Sequence, residues 1–147
     1  MAEIAKVGLG QHTICEFWGA TNLDSPELTE AAFRKAVAAG KATLVQLVVH
    51  QFAPQGVSAV AVIAESHLSI HTWPELGYAA LDYFTCGDHV DVDAIFDVLK
   101  EAYEPERIVR HQMVRGHGPE ETLASRFEEH EPQSIYQASY PMGRVLE

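Results

Sequence analysis

Cysteine is scarce: only Cys15 and Cys86 occur in 147 residues. Two are too few for a disulfide framework and suit a compartment in which thiols stay reduced. Basic residues are also few, 10 Lys and Arg against 21 Asp and Glu, with no cluster that could locally reverse the sign. A formal charge of −11 repels a phosphate backbone, which argues against nucleic-acid binding. No apolar run reaches the ~20 residues of a membrane span. The opening Met-Ala-Glu-Ile-Ala-Lys has neither the basic start nor the apolar stretch of a secretory signal. We therefore expect a cytoplasmic protein that binds neither nucleic acid nor membrane. The acidic balance by itself implies only solubility and some attraction for cations.

What is present is enough apolar residue, 47% of the chain with 21% charged, to build one compact domain. Residues 11–18 are rich in β-branched and aromatic types and read as a strand ending at Gly19. Ser25 and Pro26 open a helix in which Leu28, Ala32, Phe33, Ala36 and Val37 keep helical spacing until Gly40. Two apolar runs, 42–52 and 57–65, flank the turn Ala53-Pro54-Gln55-Gly56. The second run is apolar on both faces, so we expect a central strand buried on both sides. Strands over 67–72 and 78–86 surround Trp73-Pro74-Glu75-Leu76-Gly77, Asp91 caps a helix over 92–103, and 107–115 is a last strand. The order β-α-β-β-β-β-α-β with short connections predicts an α+β fold, a two-layer α/β sandwich with a mainly antiparallel sheet and both helices on one face. Residues 1–116 form the expected domain and 117–147 a polar C-terminal tail.

Reactive side chains are densest in the run from Glu65 to Glu75. A metal held by His67 and His71 fails on geometry. On a strand these positions lie ~13 Å apart, whereas zinc ligands sit ~2 Å from the ion, so we expect no metal. Ser66, Cys86, His71 and Glu75 supply the residue types of a hydrolase, but no Gly-x-Ser-x-Gly elbow accompanies them.

The run Glu65-Ser66-His67-Leu68-Ser69-Ile70-His71-Thr72-Trp73-Pro74-Glu75, followed by Gly77-Tyr78-Ala79-Ala80-Leu81-Asp82 and Phe84-Thr85-Cys86-Gly87, closely resembles the prokaryotic S-adenosylmethionine decarboxylase proenzymes. The resemblance extends more loosely from Gly10 to Gly116 and includes His50, Phe52 and Gly56-Val57-Ser58. It implies self-cleavage between Glu65 and Ser66 into a β chain of residues 1–65 and an α chain of 66–147. Ser66 would become a pyruvoyl cofactor that forms a Schiff base with the substrate, with no metal and no pyridoxal phosphate. The resemblance assigns His71 and Ser58 to processing, His71 in removing the serine α-proton and Ser58 in assisting an ester step. It makes Cys86 the proton donor in turnover, and Phe52, His71 and Glu75 the substrate-binding residues. Cys15 has no counterpart role and reads as packing.

The implied activity is decarboxylation of S-adenosylmethionine to an aminopropyl donor for polyamine synthesis, by a homodimer of cleaved protomers. Arginine or ornithine decarboxylation on the same scaffold is one rival, since Gln55 and Ala59 depart from the expected pattern around Ser58. An unprocessed, non-catalytic regulatory paralogue is another.

Overall fold

The computed structural model describes residues 10–64, 66–86 and 89–116. Glu65, Gly87 and the expected tail 117–147 lie outside these described residues. Among the described residues, six strands and two helices follow one another in the expected order: β1 (Gly10–Trp18), α1 (Pro26–Ala39), β2 (Leu44–Gln51), β3 (Val57–Ile63), β4 (Ser66–Trp73), β5 (Tyr78–Cys86), α2 (Val92–Tyr103) and β6 (Arg107–Arg115). A 3-10 turn over Pro74–Leu76 joins β4 to β5. Gly77 closes it at φ 63°, in the left-handed region where a Cβ would be strained.

The strands form one sheet in the order β2-β3-β4-β5-β1-β6, and every neighbouring pair is antiparallel. Both helices lie on one face. Phe33, Ala36 and Val37 of α1 and Ile95, Leu99 and Tyr103 of α2 share a core with Cys15, Phe17, Ala59, Ala61, Ile63, Leu68, Ile70, Ala79, Leu81 and Tyr83 of the sheet. Each helix begins at a side-chain cap: Ser25 Oγ accepts from Leu28 N–H at 3.1 Å, and Asp91 Oδ1 accepts from Ala94 N–H at 3.0 Å. Such caps satisfy amides that have no partner within the helix. Thr29, which the apolar spacing passed over, is buried because its hydroxyl accepts from Tyr103 Oη–H at 3.0 Å, tying α1 to α2.

One expectation is corrected. β3 is interior to the sheet but not buried on both sides, because its residues alternate between faces. Val57, Ala59, Ala61 and Ile63 point into the helix-covered core. Val60 and Val62 are 40% and 44% exposed on the opposite face, beside Val48 at 54%. Among the described residues, helices cover only one side of the sheet, so a strand apolar on both faces leaves half of its apolar surface on the open side.

Candidate active site

Antiparallel pairing keeps directly opposed residues on one face, so the register resolves the open side into rows that cross the sheet. One row runs His50, Ser58, His71, Ala80, Glu16 and Val109; the next Val48, Val60, Ser69, Asp82, Ile14 and His111; the third Gln46, Val62, His67, Phe84, His12 and Met113. Successive rows lie two residues, or ~6.6 Å, apart along the strands.

The candidate residues fall into two groups at opposite ends of β4. At its start, the pairing of Ile63 with Ser66 leaves only positions 64 and 65 for the chain reversal. Ser66 Oγ accepts the Cys86 backbone N–H at 3.1 Å, which puts the two residues at one end of the sheet. Gly10 lies opposite Cys86, and a Cβ there would come within 2.7 Å of Thr85 O and 3.0 Å of Cys86 Sγ. Only a glycine lets β1 pass this close to the thiol.

At the far end, Ser58 and His71 are directly paired, with Ser58 Oγ 2.8 Å from His71 Nδ1. Although His71 lies on the exposed face, desolvation by the surrounding protein lowers its pKa below the ordinary value, and the charge of Asp82 pulls the other way. The imidazole is thereby kept neutral at neutral pH and able to accept a proton. Phe52 follows β2, is 46% exposed and packs edge-on against His50 at 4.6 Å. Glu75 lies in the 3-10 turn, and its Oε1 accepts from Gln55 Nε2 at 3.2 Å. Gln55, noted in the sequence only as a departure from pattern, is thus a partner of the candidate substrate-binding acid.

His71 is five residues from Ser66 along one strand, ~16 Å at ~3.3 Å per residue. Within one chain, then, the structure brings Ser66 to Cys86 and Ser58 to His71, but it does not bring the two groups together.

Between them stands a cluster that the sequence reading missed. Asp82 Oδ2 accepts from His12 Nε2–H and from His67 Nε2–H, each at 2.7 Å, and Asp82 Oδ1 accepts from the Ser69 hydroxyl. Burial alone would raise the Asp82 pKa, but the hydrogen bonds from His12, Ser69 and His67 outweigh it and hold the carboxyl well below the usual range. Ligand atoms of His12, His67 and Asp82 lie within 4.8 Å of one another, a set chemically suited to a transition metal. Arg115 Nη1, however, donates to His12 Nδ1 at 3.3 Å, which fixes the His12 proton on Nε2, aimed at Asp82. A metal would have to displace both that proton and the guanidinium. Cys15, by contrast, is buried in the core, and desolvation pushes its thiol up to about 11, the state of an inert packing residue. Among the described residues, no helix is long and apolar enough to cross a membrane.

Comparison with known proteins bears on the chain as a whole. The family model described as S-adenosylmethionine decarboxylase matches residues 11–116. The S-adenosylmethionine decarboxylase proenzyme of Thermomicrobium roseum is 53% identical over 109 residues, covering 74% of this chain and 94% of that protein. The proenzyme of the same name from Methanococcus maripaludis is 48% identical over 110 residues, covering 74% and 90%. The crystal structure of the adenosylmethionine decarboxylase from Aquifex aeolicus superposes with a TM-score of 0.72 at 32% identity, covering 78% of this chain and 97% of that one. A match over residues 11–116, which takes in both helices, every strand but for Gly10 and every described candidate residue, shows that this chain belongs to the S-adenosylmethionine decarboxylase family.

Proposed function

We propose that the protein decarboxylates S-adenosylmethionine with a pyruvoyl group that it makes from its own Ser66. The observation that carries this reading is the position of Ser66, the first paired residue after a two-residue reversal, with its hydroxyl held by the Cys86 amide. Relatives named proenzymes at up to 53% identity support it.

The chemistry of cleavage balances without a protease. Ser66 Oγ attacks the Glu65 carbonyl carbon, the amide C–N bond breaks, and an ester forms. Loss of the Ser66 α-proton then expels the Glu65 carboxylate from Cβ, and water replaces the nitrogen, which leaves as ammonia. A basic, neutral His71 suits the α-proton removal, and the Ser58 hydroxyl suits donation to the oxyanion that precedes the ester. The pyruvoyl ketone left at position 66 supplies an electron sink for the carbon–carbon bond that breaks as carbon dioxide departs.

The chain's own side chains do the rest. Cys86, at the Ser66 end, is the proton donor to the product carbon. Phe52 offers a face to the adenine ring, worth ~1–3 kcal/mol of stacking, with His71 beside it. Glu75 accepts from the vicinal ribose hydroxyls, steadied by Gln55.

Because Ser66 and His71 lie ~16 Å apart along β4, a complete site needs a second copy. Laid against the open face, that copy supplies Ser58, His71, Phe52 and Glu75 to the Ser66–Cys86 end and covers Val48, Val60 and Val62, whose exposure the described residues of one protomer leave unexplained. The working unit is a homodimer of cleaved protomers.

Intact-mass spectrometry and carboxyl-label release test the proposal together. Cleavage gives fragments of 65 and 82 residues (147 − 65 = 82), with the larger lacking a free amino terminus, and S-adenosylmethionine releases labelled carbon dioxide. A persistent 147-residue species would instead favour the regulatory paralogue. Release from arginine or ornithine alone would move the substrate assignment and leave the cofactor standing.

A further inference from the structure

We propose that Asp82, acting through His12 and His67, is a positioning residue that holds residue 66 in place once cleavage has made it a chain terminus. This rests on the function proposed above. Before the break, residue 66 is anchored on both sides by continuous chain. Afterwards, β4 begins at a free end, and strand ends fray unless something ties them down.

The described residues supply such a tie at the next position. His67 is paired through the backbone to Val62 of β3 and Phe84 of β5. Its imidazole also reaches diagonally past Phe84 to the same Asp82 oxygen that His12 engages from β1. Asp82 returns to β4 one row further on, through Ser69. Arg115 of β6 backs His12 at Nδ1 and stacks on Phe84 at 4.8 Å. A single carboxylate thus gathers side chains from β1 and β4 with β6 behind them, and all of its contacts fall within two rows of the new terminus. Hydrogen bonds to an ionised acceptor are short and directional, which suits holding one residue in register more than general cohesion, for which an apolar pair would serve as well.

Asp82 touches neither the reacting atoms nor the ring and hydroxyl contacts assigned to Phe52 and Glu75. Its loss should therefore lower turnover without weakening substrate binding, and it should matter more after cleavage than before.

The test compares parent, Asp82→Ala, Asp82→Asn and His12→Ala as full chains. Cleavage is followed by intact mass, turnover by kcat and KM, and local order by hydrogen–deuterium exchange of residues 66–72, with α1 as the control for global stability. In Asp82→Ala, kcat should fall by about tenfold or more with KM within about threefold. Exchange over 66–72 should quicken by about tenfold in the cleaved form, but not when Asp82→Ala is placed on an uncleavable Ser66→Ala background, with α1 unchanged. Asp82→Asn keeps the shape and one acceptor oxygen and should recover part of both losses. His12→Ala, which removes one of two imidazole donors, should show the same pattern more weakly and serves if Asp82→Ala does not fold. Parent-like kcat and exchange in cleaved Asp82→Ala would overturn the proposal while leaving the decarboxylase reading intact. So would faster exchange spread equally over α1 in both Asp82→Asn and His12→Ala, because the cluster would then be general cohesion. A parent chain that never cleaves would sink both readings.

Discussion

Co-expressing Ser66→Ala with His71→Ala tests the division of the site between two copies. On the proposed mechanism each variant alone lacks a group that every site requires, so each is expected to be inactive, and His71→Ala to stall before elimination. If His71 served the Ser66 of its own chain, mixing two dead chains would restore nothing. The spacing along β4 says otherwise: proton transfer needs ~2.6–3.2 Å between heavy atoms, and five strand residues span ~16 Å. In a mixed dimer, one site has an intact Ser66 facing an intact His71, and the other has neither. Random pairing makes about half of the dimers mixed, each with one complete site of two, so activity should return to about one quarter of the parent and about half of the His71→Ala chains should cleave. Dual-tag purification of the mixed dimer raises those fractions to about one half and nearly all, respectively. The assay is carbon dioxide release alongside intact mass on the same preparation. Purified mixed dimers that neither cleave nor turn over would refute the shared site, and with it the role given to the open face.

Cys86→Ala is expected to cleave normally yet lose about 100-fold or more in kcat, the usual scale for removing a positioned proton donor; activity within about twofold of parent would remove the thiol from the mechanism. Phe52→Ala should raise KM for S-adenosylmethionine by about tenfold, equivalent to ~1.4 kcal/mol, with cleavage unaffected, and an unchanged KM would argue against stacking at that position. Because the folded-state pKa of Asp82 is held below its ordinary value, its contribution to stability is fully present above the unfolded carboxyl pKa near 3.8 and is lost as the pH falls further. Urea midpoints taken between about pH 5 and pH 3 should therefore fall more steeply for the parent than for Asp82→Asn; parallel slopes would contradict an ionised, hydrogen-bonded Asp82.

Local patterns carried most of the fold. The caps Ser25 and Asp91, the helical spacing of Phe33 and Val37, and the turns at Pro54 and Pro74 act over a few residues, and the elements they mark appear close to where they were expected. The apolar pattern of β3 was legible too, but its meaning was not: a strand apolar on both faces can be covered within its own chain or left partly uncovered. The Ser66 and Cys86 motifs were readable as contiguous runs. Their separation from His71 was equally available from strand spacing, since the arithmetic that argued against a His67–His71 metal applies to Ser66 and His71 as well. The Asp82 cluster could not be read this way. His12, His67 and Asp82 become neighbours only when β1 and β4 flank β5 in one register, and that pairing is information no local window contains. Gly10 is similar, since its need for hydrogen in place of a side chain arises from Thr85 and Cys86, more than seventy positions away.

A chain broken after residue 65 would not come apart along a single seam. Residues 1–65 hold β1, β2 and β3, while the remainder holds β4, β5 and β6, yet β1 sits between β5 and β6 in the sheet. Separating the halves means opening the β3–β4, β5–β1 and β1–β6 ladders together. Such fragments would be woven, and the lost peptide bond would not be what keeps them joined. It matters for getting there: an intact chain threads β1 into its slot as one molecule, whereas denatured halves must first meet in solution. Refolding of the cleaved protein should fall off with dilution, and that of an uncleaved Ser66→Ala monomer unit should not. The mature enzyme would then persist by slow unfolding, as a structure easier to keep than to rebuild.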